Sequence, residues 1–345
     1  MSEKRPAFGP QAPATKTGIT APGASPGTTP VDVSVIVVNY NTARLLSKMR
    51  DALMCSQGSL SLQTIVIDNA SRDDSLPVIH REFPDAHVIE NATNVGFGRA
   101  NNQAISVATG RYLLLLNTDA FVAPDSLSKT VSYMDAHPQC GVLGVRLVGS
   151  GGELHPSCRF FPNPWNVFVS RSGLLRVFPW VQLVDPPGHH DDVTRECDWV
   201  VGCYMLIRRE VVAECGLFDP RYFLYLEEVD FCRRVKRAGW KVVYFAETTV
   251  VHLGGESAKS DEELTTSGRQ ISVMQIESEL LYYRKNFGLP GLIAFVALSW
   301  LTDAIHALKW LARGRGVAGL KPVRAHSKAL QTLLFKTRAG SVPTR

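Results

Sequence analysis

The chain has 345 residues, of which 45% are hydrophobic and 20% charged, and its formal net charge is +5. Enough apolar surface is available for a sizeable core, which excludes a wholly disordered chain, and the length allows one large domain or two smaller ones. The mild positive charge comes with no recognisable nucleic-acid reading module, so nucleic acid is not an expected partner.

Residues 1–30 are rich in Pro, Gly, Ala, Ser and Thr and nearly devoid of large apolar residues, so they bury too little surface to offset ordering entropy. A disordered leader is expected there. No apolar stretch follows the early charges, which argues against a secretory signal peptide. The seven cysteines are odd in number and contain no CxxC pair, which disfavours a disulfide framework and a zinc site. A reducing cytoplasm is the expected location.

From Val33 to about Leu147 the pattern alternates strand and helix. Strands are predicted at 33–38, 62–67, 87–90, 112–116 and 142–148, with helices at 42–56, 73–83, 98–108 and 124–136. Such alternation implies right-handed βαβ units and a mostly parallel central sheet with helices on both faces. The apolar runs ending at Asn39-Tyr40-Asn41, Asp68-Asn69 and Asn117-Thr118-Asp119 each deliver Asp or Asn at a strand's carboxyl end. One such ending is ordinary turn chemistry; several on one sheet edge predict a polar pocket where ligands bind.

Asn94-Val95-Gly96-Phe97-Gly98-Arg99 has glycines that let backbone approach a ligand, but Asn101 stands where a third dinucleotide-motif glycine belongs. A plain turn and a ligand loop both fit it. Gly149–Gly152 predicts a hairpin turn, and the prolines of 160–196 predict a long loop or lid. A strand is predicted at 198–207 and a helix from about 209 to 215. Trp199, on that strand, fits either a platform for a sugar ring or core filling.

Glu227, Glu228 and Asp230 open a predicted helix, 227–238, whose Val229, Phe231, Cys232 and Val235 face the core and which stops at Gly239. Acids there complement the helix dipole, or one of them serves as a general base. Strands follow at 241–245 and 249–253, the second ending in His252, which with Asp119 could hold Mg²⁺ or Mn²⁺.

Past residue 270, a helix is predicted over 271–287, then an apolar run, 291–300, shorter than the ~20 residues a spanning helix needs. From Ala304 to Arg345 there are nine Lys or Arg and no acid. That asymmetry fits either a helix on an anionic membrane surface or a packed helix with a solvated basic tail.

The stretches VSVIVVNYN, IVIDNASRDDS, NVGFGRANN, GRYLLLLNTDA, DWVVGCYMLIRR, FDPRYFLYLEEVDFCRR and VHLGGES occur in this order across 33–257. In them the chain resembles family 2 glycosyltransferases of the GT-A fold, in the rhamnosyltransferase-like branch. The resemblance implies a GT-A domain at 31–265 and a helical, apolar then basic extension at 266–345. It implies inverting transfer of a sugar, rhamnose by branch, from a dTDP- or UDP-linked donor to a saccharide or lipid-linked acceptor, with a divalent cation (Mg or Mn), in cell-surface polysaccharide synthesis. The chain is then expected in the cytoplasm or peripherally on the membrane's cytoplasmic face.

By the same resemblance Asn39, Tyr40, Asp68, Asn94, Arg99 and Asn117 contact the donor, and Asp119 and His252 hold the metal. Asn117 replaces the first acid of the family's DxD. Glu228, or its neighbour Glu227, is the base, and Trp199 and Asp230 lie on the acceptor side. A non-catalytic nucleotide-sugar binding or scaffolding protein, and a sugar-phosphate nucleotidyltransferase, remain the alternatives.

Overall fold

The computed structural model describes residues 30–184, 192–254, 269–314, 316 and 320–345. The expected leader apart from Pro30, the 255–257 end of the last motif and the 265/266 boundary lie outside the described residues.

Strand β1 (Val33–Asn39) pairs in parallel with β2 (Leu62–Asp68) and β4 (Tyr112–Leu116), and β2 pairs in parallel with β3 (His87–Glu90). This is the parallel core that the alternation predicts. Past β4, strand β9 (Tyr204–Arg208) runs antiparallel between β4 and β6 (Cys140–Val148), and β10 (Lys241–His252) lies parallel to β6. Short β5 (Ala120–Val122) closes the edge antiparallel to β10, while β7 (Leu154–His155) and β8 (Arg195–Glu196) pair with β6 and β10.

Both faces of the sheet are covered, which is why its strands read as unbroken apolar runs. Val33, Val35 and Val37 pack against Leu46, Met49 and Leu53 of α1 (Ala43–Ser56), Ile79 of α2 (Ser75–Glu82) and Val131 of α4 (Ser126–Ala136). Ile36, Leu113 and Leu115, of opposite parity, pack against Ala100 and Ala104 of α3 (Phe97–Ala104), Val211 of α6 (Arg209–Cys215) and Phe231 and Val235 of α7 (Glu227–Arg237).

The structure corrects the sequence in four places. The proline-rich stretch expected to be a loop contains α5 (Pro164–Ser172): Pro164 occupies the first turn, the Asn163 side chain accepts from the Asn166 amide at 2.9 Å, and Gly173 closes the helix in a left-handed conformation. Residues 198–203, expected to be strand, are irregular: Trp199 makes one isolated antiparallel bridge to Arg159, and Gly202–Cys203 turn into β9. The strands expected at 241–245 and 249–253 are one continuous β10, whose register against β6 shifts between Phe245 and Thr249. The predicted 271–287 helix and the apolar run after it join in α8 (Arg269–Ala312), bent at Gly288 (φ 68°) just before Pro290. By length and composition alone, Val273–Ala312 is long and apolar enough to cross a membrane, although the Gly288 kink divides it and its uninterrupted apolar run is the short one counted in the sequence.

Helix α9 (Lys321–Lys336) packs on α8 through Leu330 and Leu333, which join Leu280, Tyr283, Leu292 and Phe295 in a third cluster. Val229 of α7 belongs to that cluster, so the C-terminal helices pack directly on the acid-bearing helix.

Candidate active site

Buried hydrogen bonds lace together the carboxyl ends of the parallel strands. Asn39, fully buried, donates through Nδ2 to Asp68 Oδ1 at 2.8 Å and Ser71 Oγ at 3.0 Å, and its Oδ1 accepts from Thr42 Oγ1 at 2.7 Å. Thr42 Oγ1 in turn lies 2.9 Å from Thr118 Oγ1, beside Asp119. Asn39 is thus a bracket that fixes Asp68, whose Oδ2 also accepts from the Ser71 amide at 3.0 Å.

Next to this bracket lies a cleft of ≈ 470 Å³, lined by Tyr40, Asp68, Ser71, Arg72 and Asn94 among others. Asn94 holds the cleft's far wall: its Oδ1 accepts from Asn69 Nδ2 at 2.8 Å and the Gly96 amide at 2.9 Å. The structure brings Tyr40, Asp68 and Asn94 together. It moves Arg99 out of that group, because the Arg99 guanidinium donates to the Pro220 carbonyl at 2.7 Å and to the Arg345 carbonyl at 2.8 Å.

At the end of β4 the buried Asp119 carboxylate faces His252 from the end of β10, with Oδ1 to Nε2 at 3.4 Å. Register explains the meeting: Ala120 and His252 are partners across β5 and β10. Burial alone would lower the His252 imidazole's pKa, but hydrogen bonding to Asp119 and Cys203 outweighs it and raises the value to about 10. Among the described residues no group of three or more His, Cys, Asp or Glu suits a metal. Asp119 and His252 nevertheless supply one oxygen and one nitrogen donor, a set compatible with Mn²⁺ or Mg²⁺ when phosphate oxygens and water complete the shell. Asn117, of the same turn, takes its backbone amide to the Cys203 carbonyl at 3.0 Å.

Glu227 and Glu228 follow Tyr225 (φ 73°) and Leu226 (φ 67°), consecutive non-glycine residues in the left-handed region, a strain that persists only where surrounding structure imposes it. Here α3 imposes it. The Phe97 amide donates to the Phe223 carbonyl at 2.9 Å, and a Cβ added at Gly96 would lie 2.5 Å from that same oxygen. Glu227 is buried and Glu228 half-buried, and each keeps its Oε2 buried without a hydrogen-bond partner among the described residues. Burial pushes both carboxyls above the usual range; Glu228 raises Glu227 further, while backbone amides and Arg159 pull Glu228 back down.

Asp230 also moves out of the expected site. Its fully buried carboxylate accepts from Arg234 Nε at 3.1 Å, Lys285 Nζ at 2.7 Å and Asn286 Nδ2 at 3.1 Å, so it anchors α8 and presents no face to an acceptor. Trp199 has its indole Nε1 donating to the Phe160 carbonyl at 2.9 Å and packs beside both the α7 and the α8 clusters, which supports core filling.

Arg159 and Cys203 were not found from the sequence. Arg159 stacks over the Trp199 ring at 5.2 Å and interacts electrostatically with Glu228, while its Nε is buried without a partner among the described residues. Gly202 and Cys203 connect the two halves of the site, since a Cβ at Gly202 would lie 3.9 Å from Glu228 Cβ and the Cys203 thiol touches His252. Arg159 sits in a segment with no motif, and Cys203 within a run that reads as plain strand, so local pattern marks neither.

A strand-end pocket, a carboxylate–imidazole pair and a strained acidic turn on one sheet edge agree with what a family comparison finds. The model of "Glycosyl transferase family 2" matches residues 34–216, and that of "Glycosyltransferase like family 2" matches 190–271. The chain belongs to glycosyl transferase family 2. This glycosyltransferase is 24% identical over 245 residues to N-acetylglucosaminyl-diphospho-decaprenol L-rhamnosyltransferase of Mycobacterium tuberculosis, covering 66% of this chain and 78% of the relative. It is 26% identical over 238 residues to rhamnosyltransferase WbbL of Escherichia coli, covering 66% and 86%. Among solved structures it is similar to the mannosyltransferase PcManGT from Pyrobaculum calidifontis, in complex with GDP-Man and Mn²⁺. That match has a TM-score of 0.52 at 18% identity over 91% of this chain and 90% of the other, and supports the GT-A fold. The nucleotidyltransferase alternative falls away with this membership.

Proposed function

We propose that this glycosyltransferase moves a sugar, rhamnose by its relatives, from a nucleoside-diphosphate donor to a saccharide hydroxyl on a lipid-linked acceptor, with inversion, during surface polysaccharide synthesis. The observation that carries this reading is the Asp119–His252 pair at 3.4 Å, with Cys203 against His252 and the adjoining Gly202 beside the stem of Glu228.

Tyr40, Asp68 and Asn94 line the cleft for the nucleoside, and Asn117 remains a candidate for donor contact beside Asp119. Asp119 and His252 would hold a divalent cation, which supplies positive charge for the leaving diphosphate and would displace the imidazole proton on binding. Glu228 takes the acceptor hydroxyl's proton as that oxygen bonds to the anomeric carbon and the bond to the diphosphate breaks on the opposite face. Its buried oxygen, without a hydrogen-bond partner among the described residues, supports this role. A single displacement needs no second nucleophilic carboxylate.

The test is a donor screen with the purified chain, varying base and sugar and scoring nucleoside-diphosphate release with Glu228→Gln as control. Release that depends on donor, acceptor and Glu228 is expected. Donor binding with no wild-type release from any pair would instead identify a scaffold.

A further inference from the structure

Arg159 places a cation beside the base without the bonds that such a group ordinarily makes. Its guanidinium is half-buried, its Nε has no hydrogen-bond partner among the described residues, and it stacks with Cζ 5.2 Å from the Trp199 ring centroid. A buried polar group without a partner is uncommon in a folded protein, and a charged one is costly. The cations of the surrounding helices are engaged: Arg234 donates to Asp230 at 3.1 Å, Lys236 to Asp198 at 3.0 Å, Lys285 to Asp230 at 2.7 Å and Arg233 to the Tyr282 hydroxyl at 3.2 Å.

The backbone around Arg159 is fixed. Its amide donates to the Trp199 carbonyl at 3.2 Å, its carbonyl accepts from the Asp198 amide at 3.1 Å, and the Trp199 indole donates to the Phe160 carbonyl at 2.9 Å. Upstream, Ser157 Oγ donates to the Val145 carbonyl at 2.7 Å, and His155 of β7 stands edge-on to His252 with ring centroids 6.5 Å apart. Residues 155–159 therefore run from the Asp119–His252 pair to the acidic turn. One short segment borders both ends of the reaction centre.

Arg159 interacts electrostatically with Glu228 at one end and, at the other, with the Cys203 thiol, which touches His252. Yet Arg159 Nε and Glu228 Oε2 are both buried without a hydrogen bond among the described residues, so the two groups attract each other across a gap instead of pairing. In the displacement proposed above, the sugar enters that gap with its anomeric carbon facing Glu228, and the bond to the diphosphate breaks on the side of the Asp119–His252 pair. A guanidinium there meets the oxygen that receives the bonding electrons. Its planar fork matches two phosphate oxygens at once, and its charge, in place before the reaction, stabilises the charge of the leaving group. A sugar hydroxyl would require only a neutral donor.

We infer that Arg159 is a catalytic residue that binds the β-phosphate of the donor's diphosphate and stabilises it as it leaves. The acceptor hydroxyl gives its proton to Glu228 and bonds to the anomeric carbon, and the electron pair of the broken bond passes to a β-phosphate oxygen against the guanidinium. The inference rests on the proposed transfer for its chemistry, and its test reads binding alone.

The experiment is titration calorimetry on the full chain without metal, comparing UDP with UMP, dTDP with dTMP and GDP with GMP. Variants are Arg159→Met, Arg159→Lys, and Glu228→Gln with and without Arg159→Met, each checked by thermal unfolding. The wild type should prefer the diphosphate of at least one pair. Arg159→Met should reduce that preference by about 10- to 100-fold, as loss of a charge-assisted contact does, with monophosphate affinity within about twofold of wild type. Arg159→Lys keeps the charge without the fork and should fall between the two. The loss should persist in the Glu228→Gln background, because the guanidinium meets the ligand directly and not through the base. No diphosphate preference in the wild type, an equal loss for monophosphate and diphosphate, or a loss that disappears in Glu228→Gln would each overturn the inference. So would full nucleotide affinity in Arg159→Met with a raised KM for the acceptor, which would move the guanidinium to the acceptor's side. An Arg159-dependent diphosphate preference with no release from any donor and acceptor would sink the transferase reading and leave the contact standing.

Discussion

Lys285 Nζ sits 2.7 Å from Asp230 Oδ2, and the same ammonium lies 2.7 Å from Asp219, so one cation on α8 ties together α7 and the segment preceding it. Burial would raise the Asp219 carboxyl, but Arg221 and Lys285 hold it well below the usual range. Lys285→Met should therefore leave a fully buried Asp230 short of a partner and cost about 3 kcal/mol or more. Thermal unfolding should show a lowered Tm, with the affinity for the donor nucleotide unchanged in the folded protein.

Glu228→Gln keeps the shape of the acidic turn and removes the proton acceptor. Diphosphate release should fall by about 10²- to 10⁴-fold, the range that general bases contribute, with donor affinity within a factor of about two of wild type. Glu227→Gln should reduce release far less, because Glu227 is the more deeply buried of the two and its carboxyl is pushed up by burial and by Glu228. Single-turnover release measured on both variants distinguishes the roles; equal losses would make the pair one functional unit.

Much of this arrangement was legible in the sequence, and the boundary of legibility has a physical cause. Strand ends at Asn39, Asp68 and Asp119 could be read because a buried parallel strand leaves an unbroken apolar run and ligands gather at its carboxyl end. The amphipathic pattern of α7 likewise placed Val229, Phe231, Cys232 and Val235 inside, where they are. Roles set by partners distant in sequence could not be read. Asp230 looked like an acceptor-side acid until Lys285, 55 residues away, was found upon it. Arg99 looked like a donor ligand until the Pro220 carbonyl claimed its guanidinium. Helix α5 was hidden because the proline that starts a helix and the proline that breaks one are the same residue in a sequence.

The pH dependence follows from the raised carboxyls of Glu227 and Glu228. A carboxyl whose folded pKa exceeds its unfolded value stabilises the fold below the unfolded pKa, near 4.3 for glutamate, and that contribution is lost as pH rises through the folded value. Catalysis needs ionised Glu228, so the rate should climb with pH across the window in which this part of the stability falls. The acid limb of the rate profile should therefore lie above the ordinary glutamate range. Arg159→Met, which removes the cation pulling Glu228 down, should displace that limb further upward. A limb left in place in this variant would mean that Arg159 does not tune the base.

Gly96 adopts φ 89° with the Phe223 carbonyl 2.5 Å from the position a Cβ would take. Gly96→Ala must push α3 away from the strained turn at Tyr225 and Leu226, so both the donor cleft and the base lose their alignment. A stability loss of more than ~1 kcal/mol is expected from the positive φ alone. Diphosphate release should fall as well, even at temperatures where circular dichroism shows the variant folded. Retained activity in the folded variant would mean that α3 does not position the acidic turn.

The Asp119–His252 pair makes the last prediction, on the metal. In its absence the imidazole holds a proton against Asp119, so an ion must compete with that proton for the site. Manganese affinity, read by titration calorimetry in the presence of nucleoside diphosphate, should therefore rise with pH toward the imidazole's raised value of about 10. Asp119→Asn should weaken it by at least ~10-fold, because an amide oxygen replaces a carboxylate. His252→Ala should weaken it too and flatten the pH dependence, since the competing proton leaves with the imidazole. Chelation of the ion should stop diphosphate release, with activity returning on adding Mn²⁺ or Mg²⁺. Unchanged pH dependence in His252→Ala would place the competing proton elsewhere and remove the histidine from the ligand set.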